Sequence, residues 1–302
     1  MLYIRLKGRL GNQLFIYSFA RELVNKYCQQ VLIYDRKNEE DPMWYSHLDN
    51  YHINPNIHFT SKKEDVMKFS TVSRLLFAYD RLKIKNLSPR DRYNFQVKHI
   101  NQYAEHRLFL LTDGYVPLPN TIKDRTFFDG YFQSPKYFDD IKGDLLKELT
   151  PVHEYSEEEE KFIDQINESE SVCVTIRLGD YINNSTHQVC TKDFYINAMK
   201  KMRDLHPNCK FFIFSDEVEK AREIFNFPYS VIYDSGKMQD FVSLHVMSMC
   251  KHFIISNSSF SWWAQYLSTN PDKTVIAPDK WYAQDVPCDI YEDNWLLMRG
   301  KE

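Results

Sequence analysis

Apolar residues open the chain in a short run, Leu2 to Leu6, and return after the polar turn GRLGNQ (Gly8–Gln13) at helical spacing. That spacing sets Ile16, Ala20, Leu23 and Tyr27 on one face. A second run, Val31 to Tyr34, follows, so the pattern predicts strand, helix, strand. A unit of this length implies parallel pairing with a right-handed crossover. Between residues 36 and 120 the pattern loosens. DPMWYSHLDNYHINPN reads as loop and SRLLFAYDRLKIK as a short helix, with no packing assigned. Order returns at Thr126–Phe132 (TFFDGYF), a predicted strand. A helix is then expected from Ser134 or Pro135, carrying Tyr137, Ile141 and Leu145 on one face. The acidic stretch Glu157–Glu160 begins a solvated helix. A lobe boundary is placed near residue 150, dividing the chain into 1–150 and 151–302.

The second half is more regular. Strands are predicted at Val172–Arg177, Lys210–Ser215, Ser230–Tyr233, Phe253–Ser256 and Thr274–Ala277. Helical patterns fill the gaps at Lys192–Leu205, Glu217–Phe225, Met238–Met249 and Phe260–Leu267. This alternation predicts an α/β fold with a doubly wound sheet, which binds ligands beyond the carboxyl ends of its strands.

Composition narrows the classes. In 302 residues the net charge is −4, so no basic face is advertised for nucleic acid. Hydrophobic residues at 43% exclude a disordered, charge-rich chain. The six cysteines contain no CxxC pair, which suits reduced core thiols. The opening lacks the pattern of a secretory signal and no stretch of ~18 apolar residues occurs, so the expectation is a soluble, cytoplasmic protein. A loose, peripheral attachment to the inner membrane stays open as an alternative, although the net charge of −4 gives it no support. Glycine is scarce, with 8 in the chain, which draws attention to Gly8, Gly11 and Gly179.

Three strand ends carry candidate chemistry. TIRLGDY (Thr175–Tyr181) places Arg177, Gly179 and Asp180 in the expected crevice. FSDE adds Ser215 and Asp216 at the same edge. SNSSFSWW (Ser256–Trp263) leads small polar residues into a helix, and a serine turn there exposes unpaired N–H groups at a positive helix end. Such an end takes anions, and an arginine on a neighbouring strand end adds a fixed fork for phosphate oxygens. Taken singly, each motif has a plainer reading: SNSSF as an N-cap serine, Arg177 braced by Asp180, FSDE as a helix cap, Trp262 and Trp263 as packing, and GRLGNQ as a tight turn with Asn12 as N-cap. GRLGNQ is not the dinucleotide GxGxxG, which disfavours a nicotinamide enzyme. No DxD, HExxH or GxSxG occurs. A departing diphosphate would then rely on arginine and backbone amides rather than a metal.

Together GRLGNQLFIYSFAR, FFDGYFQSPKYF, TIRLGDY, FFIFSDE and CKHFIISNSSFSWWAQYL resemble the α-1,2-fucosyltransferases of glycosyltransferase family 11, in the family's order and over residues 5 to about 282. The resemblance implies a GT-B-like architecture, two Rossmann-like lobes with a cleft between them. Residues 1–150 would form the acceptor-side lobe and 151–302 the GDP-fucose-binding lobe. It implies an inverting transfer of L-fucose from GDP-β-L-fucose to the 2-hydroxyl of a galactose-type residue, without metal or other cofactor. Its partners would be GDP-fucose and a galactose-containing glycan, with no nucleic acid and no membrane span. The wider group's HxRRxD motif falls on Thr175, Arg177, Leu178 and Asp180, so this chain lacks the leading histidine and the second arginine. The candidate catalytic residues are Arg177, Asn12 and Asp180. The donor-binding candidates are Arg9, Ser215, Asp216, Asp240, Asn257, Ser258, Ser259 and Phe260, with Asp240 on the guanine edge by similarity to protein fucosyltransferases. Asp240 is alternatively a helix-start aspartate. The incomplete motif leaves open a nucleotide-sugar or glycan-binding protein without turnover.

Overall fold

A computed structural model describes residues 1–35, 47–179 and 189–300. The chain divides into two compact units, Met1–Thr150 with Asp285–Tyr291, and Pro151–Gln284 with the remaining C-terminal residues.

The first unit begins β1 (Leu2–Arg5), α1 (Leu10–Tyr27) and β2 (Val31–Tyr34), then β3 (Ile57–Thr60). A single turn α2 (Lys63–Val66), α3 (Thr71–Ile84) and α4 (Pro89–Glu105) lead to β4 (Leu108–Leu111) and β5 (Phe127–Gly130). The strands form one parallel sheet in the order β3-β2-β1-β5-β4. Alternation along β5 shows why helices cover both faces. Phe128 turns to Phe19 of α1 at 5.4 Å, while Phe127 turns to Phe69, just before α3, at 5.2 Å. Polar periodicity concealed α4, whose buried residues are only Gln96 and Tyr103.

The helix expected from Ser134 is instead three pieces. Short 3-10 turns at Pro135–Tyr137 and Asp139–Ile141 precede α5 (Lys142–Glu148). Phe138 interrupts them with φ −145°, and the Ser134 side chain caps nothing. Tyr137, Ile141 and Leu145 are nonetheless all buried, so the expected apolar face survives the break.

The second unit opens with α6 (Glu157–Asn167), held at its start by a reciprocal Ser156–Glu159 capping box. It continues β6 (Ser171–Ile176), α7 (Lys192–Leu205), β7 (Lys210–Ser215), α8 (Val218–Ile224) and β8 (Val231–Tyr233). Then come α9 (Asp240–Ser248), β9 (His252–Ile254), α10 (Ser259–Tyr266), β10 (Val275–Pro278) and β11 (Leu296–Met298). The sheet is parallel, ordered β11-β10-β9-β6-β7-β8. Sequence reasoning missed β11, an edge strand with two of its three residues exposed. Every residue of β6 is buried, as expected for a strand covered on both faces. Val172, Val174 and Ile176 pack with Phe194, Met199 and Met202 of α7. On the other face Phe162 of α6 meets Phe212 and Phe214 edge-on at 5.7 and 5.9 Å. All six cysteines are free thiols. Among the described residues no helix is long and apolar enough to cross a membrane.

Candidate functional site

In the second unit the strand order reverses at β6, flanked by β7 on one side and β9 on the other. A doubly wound sheet opens its crevice there, outside the carboxyl ends. Ile176 pairs with Ser215, so the next residues, Arg177 and Asp216, leave their strands side by side. Arg177 Nη1 lies 3.2 Å from Asp216 Oδ2. The same carboxylate accepts the N–H of Leu178 at 2.9 Å and of Gly179 at 3.0 Å. A Cβ at position 179 would stand 2.6 Å from Oδ2, so only glycine lets the backbone approach this closely. The plainer reading gave Asp180 the part of brace for Arg177. In the structure Asp216 pairs with Arg177, and Asp180 lies outside the described residues. The Arg177 main chain also bonds the buried Tyr195 hydroxyl.

On the other side of β6, Thr175 Oγ1 accepts the N–H of Ser256 at 2.9 Å, and Ser256 Oγ meets Ser261 Oγ at 2.9 Å. Asn257 is buried and donates from Nδ2 to the Trp281 carbonyl at 3.0 Å, so its amide shapes the turn. Ser258 occupies the N-cap position of α10, yet its side chain makes no capping bond, which corrects the reading of SNSSF as an ordinary N-cap serine. The first bond of the α10 ladder runs from Trp262 N–H to Ser258 carbonyl. The N–H groups of Ser259, Phe260 and Ser261 therefore open the helix at its positive end. Ser259 and Phe260 are half-buried. Trp262 and Trp263 are fully buried and pack with Tyr266, as the packing reading expects.

The two departures from HxRRxD have structural work of their own. Thr175 ties β6 to the serine turn, and Leu178 is buried in the core with Val174 and Ile213. Ser215, half-buried, accepts the Glu217 N–H at 3.1 Å. Asp240 is the exposed first residue of α9, in the helix-start position of its alternative reading. Near it, sequence reasoning missed Asp234, a buried carboxyl following β8 whose pKa burial raises to about 6, against the bond it accepts from the Gly236 N–H.

Arg9 and Asn12 belong to the first unit, where strand order reverses at β1 beside β5. Gly8 sits at φ 78°, a left-handed turn that favours glycine, and a Cβ there would lie 2.4 Å from Asn12 Nδ2. Arg9, not Asn12, holds the N-cap position of α1, and its carbonyl accepts the N–H groups of Asn12 and Gln13 at 2.9 and 3.0 Å. Asn12 thus lies one turn inside, where its Oδ1 accepts from Gln133 Nε2 at 2.6 Å. The preceding Phe132 adopts φ 53° while its ring stacks on Phe19 at 3.7 Å. Also missed was Asp129, a buried carboxylate at the end of β5 bonded to Lys7 at 2.8 Å, with Arg81 in contact and Arg5 at 3.8 Å. Burial opposes its ionisation, but Lys7 and Arg81 prevail and hold its pKa below the usual range. The visible signal was an aspartate within an otherwise apolar strand, FFDG.

One ligand-like cluster lies on the opposite, amino edge of the second sheet. Ring and carboxylate atoms of Glu170, His206 and His252 fall within 4.8 Å of one another. The Thr274 N–H donates to His252 Nδ1 at 3.0 Å, which leaves the ring proton on Nε2, 2.7 Å from Glu170 Oε1. With Nδ1 accepting, the ring is arranged to donate to Glu170 rather than to ligate a cation.

The fold aligns with the fucosyltransferase NodZ from Bradyrhizobium at a TM-score of 0.53 and 12% identity, over 92% of this chain and 94% of that one. At that identity the likeness speaks for the fold alone, a GT-B-like α/β architecture. An Escherichia coli protein named alpha-1,2-colitosyltransferase is 29% identical over 93% of this chain and 92% of its own length. A Caenorhabditis elegans galactoside 2-alpha-L-fucosyltransferase is 30% identical over 46% of this chain and 42% of its own. The protein is a glycosyltransferase. With residues 1–299 matching the family profile, the chain belongs to glycosyl transferase family 11.

Proposed function

We propose that this enzyme transfers L-fucose from GDP-β-L-fucose to the 2-hydroxyl of a galactose-type glycan residue, with inversion and without a divalent ion. The observation that carries the reading is that the Asp216-braced Arg177 and the amide end of α10 follow neighbouring strands, β6 and β9, at one sheet reversal. The acceptor hydroxyl attacks the fucose C1 from the face opposite the diphosphate, through an oxocarbenium-like transition state. The C1–O bond to GDP breaks as the new C1–O bond forms, the acceptor's hydroxyl proton passes to water, and charge grows on the departing diphosphate. Arg177 and the N–H groups of Ser259 and Phe260 supply preorganised donors for that charge. Ser258 lines the same mouth. Asp216, Asn257 and Ser215 position this constellation through the bonds they make within the protein. Asp240 reads the guanine edge as an acceptor for its N1–H and amino group. Arg9 joins the donor-binding residues, and Asn12 and Asp180 join Arg177 as catalytic residues.

Purified enzyme given GDP-fucose and a panel of galactosides should form an α-1,2 linkage, identified by product NMR, with full activity in excess EDTA. Arg177→Ala should lower turnover roughly 10²–10³-fold while leaving the protein folded, as removal of one preorganised donor commonly does. Undiminished turnover in that variant, or loss in EDTA restored by manganese, would contradict the reading. The full-length relative named as a colitosyltransferase favours a second reading in which a colitosyl group moves instead. Parallel assays with both nucleotide sugars separate the two.

A further inference from the structure

α3 carries an unpartnered apolar stripe. Val72, Leu75, Tyr79 and Leu82 recur at alternating steps of three and four residues, which stacks them along one helix face. Their exposures are 47, 67, 41 and 73%. The opposite side of the helix is the one that packs: Ser73, Asp80 and Ile84 are buried, and Phe77 meets Phe127 of the sheet. About three helical turns thus present large apolar side chains to solvent, over about 15 Å.

The charges beside this stripe have one sign. From Met67 to Arg90 the sequence holds Lys68, Arg74, Arg81, Lys83, Lys85 and Arg90 against a single acid, Asp80. Asp80 is buried and accepts from Gln96 and Tyr103, so it offers nothing to the surface. Arg81 is engaged by Asp129 and Arg90 by Asp285. Lys68, Arg74, Lys83 and Lys85 stay exposed, with Lys83 Nζ 5.6 Å from the Tyr79 ring centre. At the start of the helix a hollow of about 380 Å³ continues the same character, floored by Met67, Phe69 and Phe77 and rimmed by Lys63, Glu64 and Arg74. A net charge of −4 conceals this segment entirely.

We propose that the α3 face docks the enzyme on an anionic lipid bilayer, its apolar stripe entering the headgroup boundary and its lysines meeting the phosphates. A second copy of the chain is the competing occupant, since the stripe has coiled-coil spacing. Parallel self-pairing would set Lys83 and Lys85 against their own counterparts, with no exposed acid between Met67 and Arg90 to offset them. An anionic membrane relieves that repulsion, and basic amphipathic helices with exposed leucines bind such surfaces. A glycosyltransferase docked in this way would meet glycan acceptors anchored in the same bilayer. The inference stands apart from the choice of donor sugar.

The test is flotation of the full chain with vesicles of mixed phosphatidylglycerol and phosphatidylcholine, against phosphatidylcholine alone. Partitioning should be at least about tenfold stronger on the anionic vesicles and fall as salt rises. Leu75→Ser with Leu82→Ser should weaken it roughly tenfold or more, and Lys83→Gln with Lys85→Gln roughly tenfold to thirtyfold. Both pairs are exposed, and neither should change the melting temperature or turnover on a soluble acceptor. Equal binding to both vesicle types, binding to neither, or a dimer in light scattering that the leucine substitutions dissolve would overturn the proposal.

Discussion

Gly179→Ala probes the site through a single added methyl group. The new Cβ would lie 2.6 Å from Asp216 Oδ2, and ordinary contact begins at 3.4 Å, so about 0.8 Å of retreat is required. Asp216 has little freedom to retreat. Its two oxygens hold the N–H groups of Leu178 and Gly179 at 2.9 and 3.0 Å, and Oδ2 faces Arg177 Nη1 at 3.2 Å. Moving Oδ2 by that amount carries its bonds past hydrogen-bonding range. A hydrogen bond to a charged group contributes about 1.5–3 kcal/mol, so stability should fall by about that much. Misplacing a catalytic group by ~1 Å commonly costs ~10²-fold, and in the role proposed for it Arg177 should be displaced on this scale. Initial rates with labelled GDP-fucose should therefore show kcat/KM reduced roughly 10²-fold, with a modest drop in melting temperature. The control is Asp216→Ala, which removes the obstructing atom. In that background Gly179→Ala should add almost nothing, so the two substitutions are strongly non-additive. Wild-type kcat/KM in Gly179→Ala, or an equal loss in both backgrounds, would refute the bracing argument.

Two further predictions concern buried charge. Asp129→Asn leaves Lys7 and the Arg5 and Arg81 side chains without their shared carboxylate. Removing one partner from a buried ionic cluster costs about 3–5 kcal/mol, which urea unfolding should read directly; an unchanged midpoint would deny the cluster its role. Asp234 has the opposite sign. Its folded pKa of about 6 exceeds the ordinary ~3.9, so its contribution is present below pH ~4 and is lost as pH rises through 6. Asp234→Asn keeps an acceptor for the Gly236 N–H and should gain about 2–3 kcal/mol over the parent at pH 7.5. That advantage should shrink toward pH 4.5, and a pH-independent difference would show that burial does not set this pKa.

Much of the second unit was legible because its strands are short, apolar and separated by helices with a clear buried face. Lys192–Leu205 and Lys210–Ser215 match α7 and β7 to the residue. The first unit was harder for physical reasons. α4 buries a glutamine and a tyrosine rather than an apolar stripe, and the helix after Ser134 breaks at Phe138 although its buried face has helical spacing. In SRLLFAYDRLKIK, read as a helix without an assigned packing face, apolar letters do not mark burial, since Leu75 and Leu82 point to solvent. At the site, TIRLGDY and SNSSF stood out as motifs, but their connections depend on register. Only the pairing of Ile176 with Ser215 sets Asp216 beside Arg177, and only a parallel β6–β9 pair brings Thr175 to the Ser256 amide. No spacing along the chain encodes either contact.

A crystal structure of the enzyme with GDP bound measures the central claim most directly. Diphosphate oxygens should lie within about 3 Å of the Arg177 guanidinium and of the Ser259 and Phe260 N–H groups. A diphosphate seated away from both, or held through a bridging divalent cation, would contradict it.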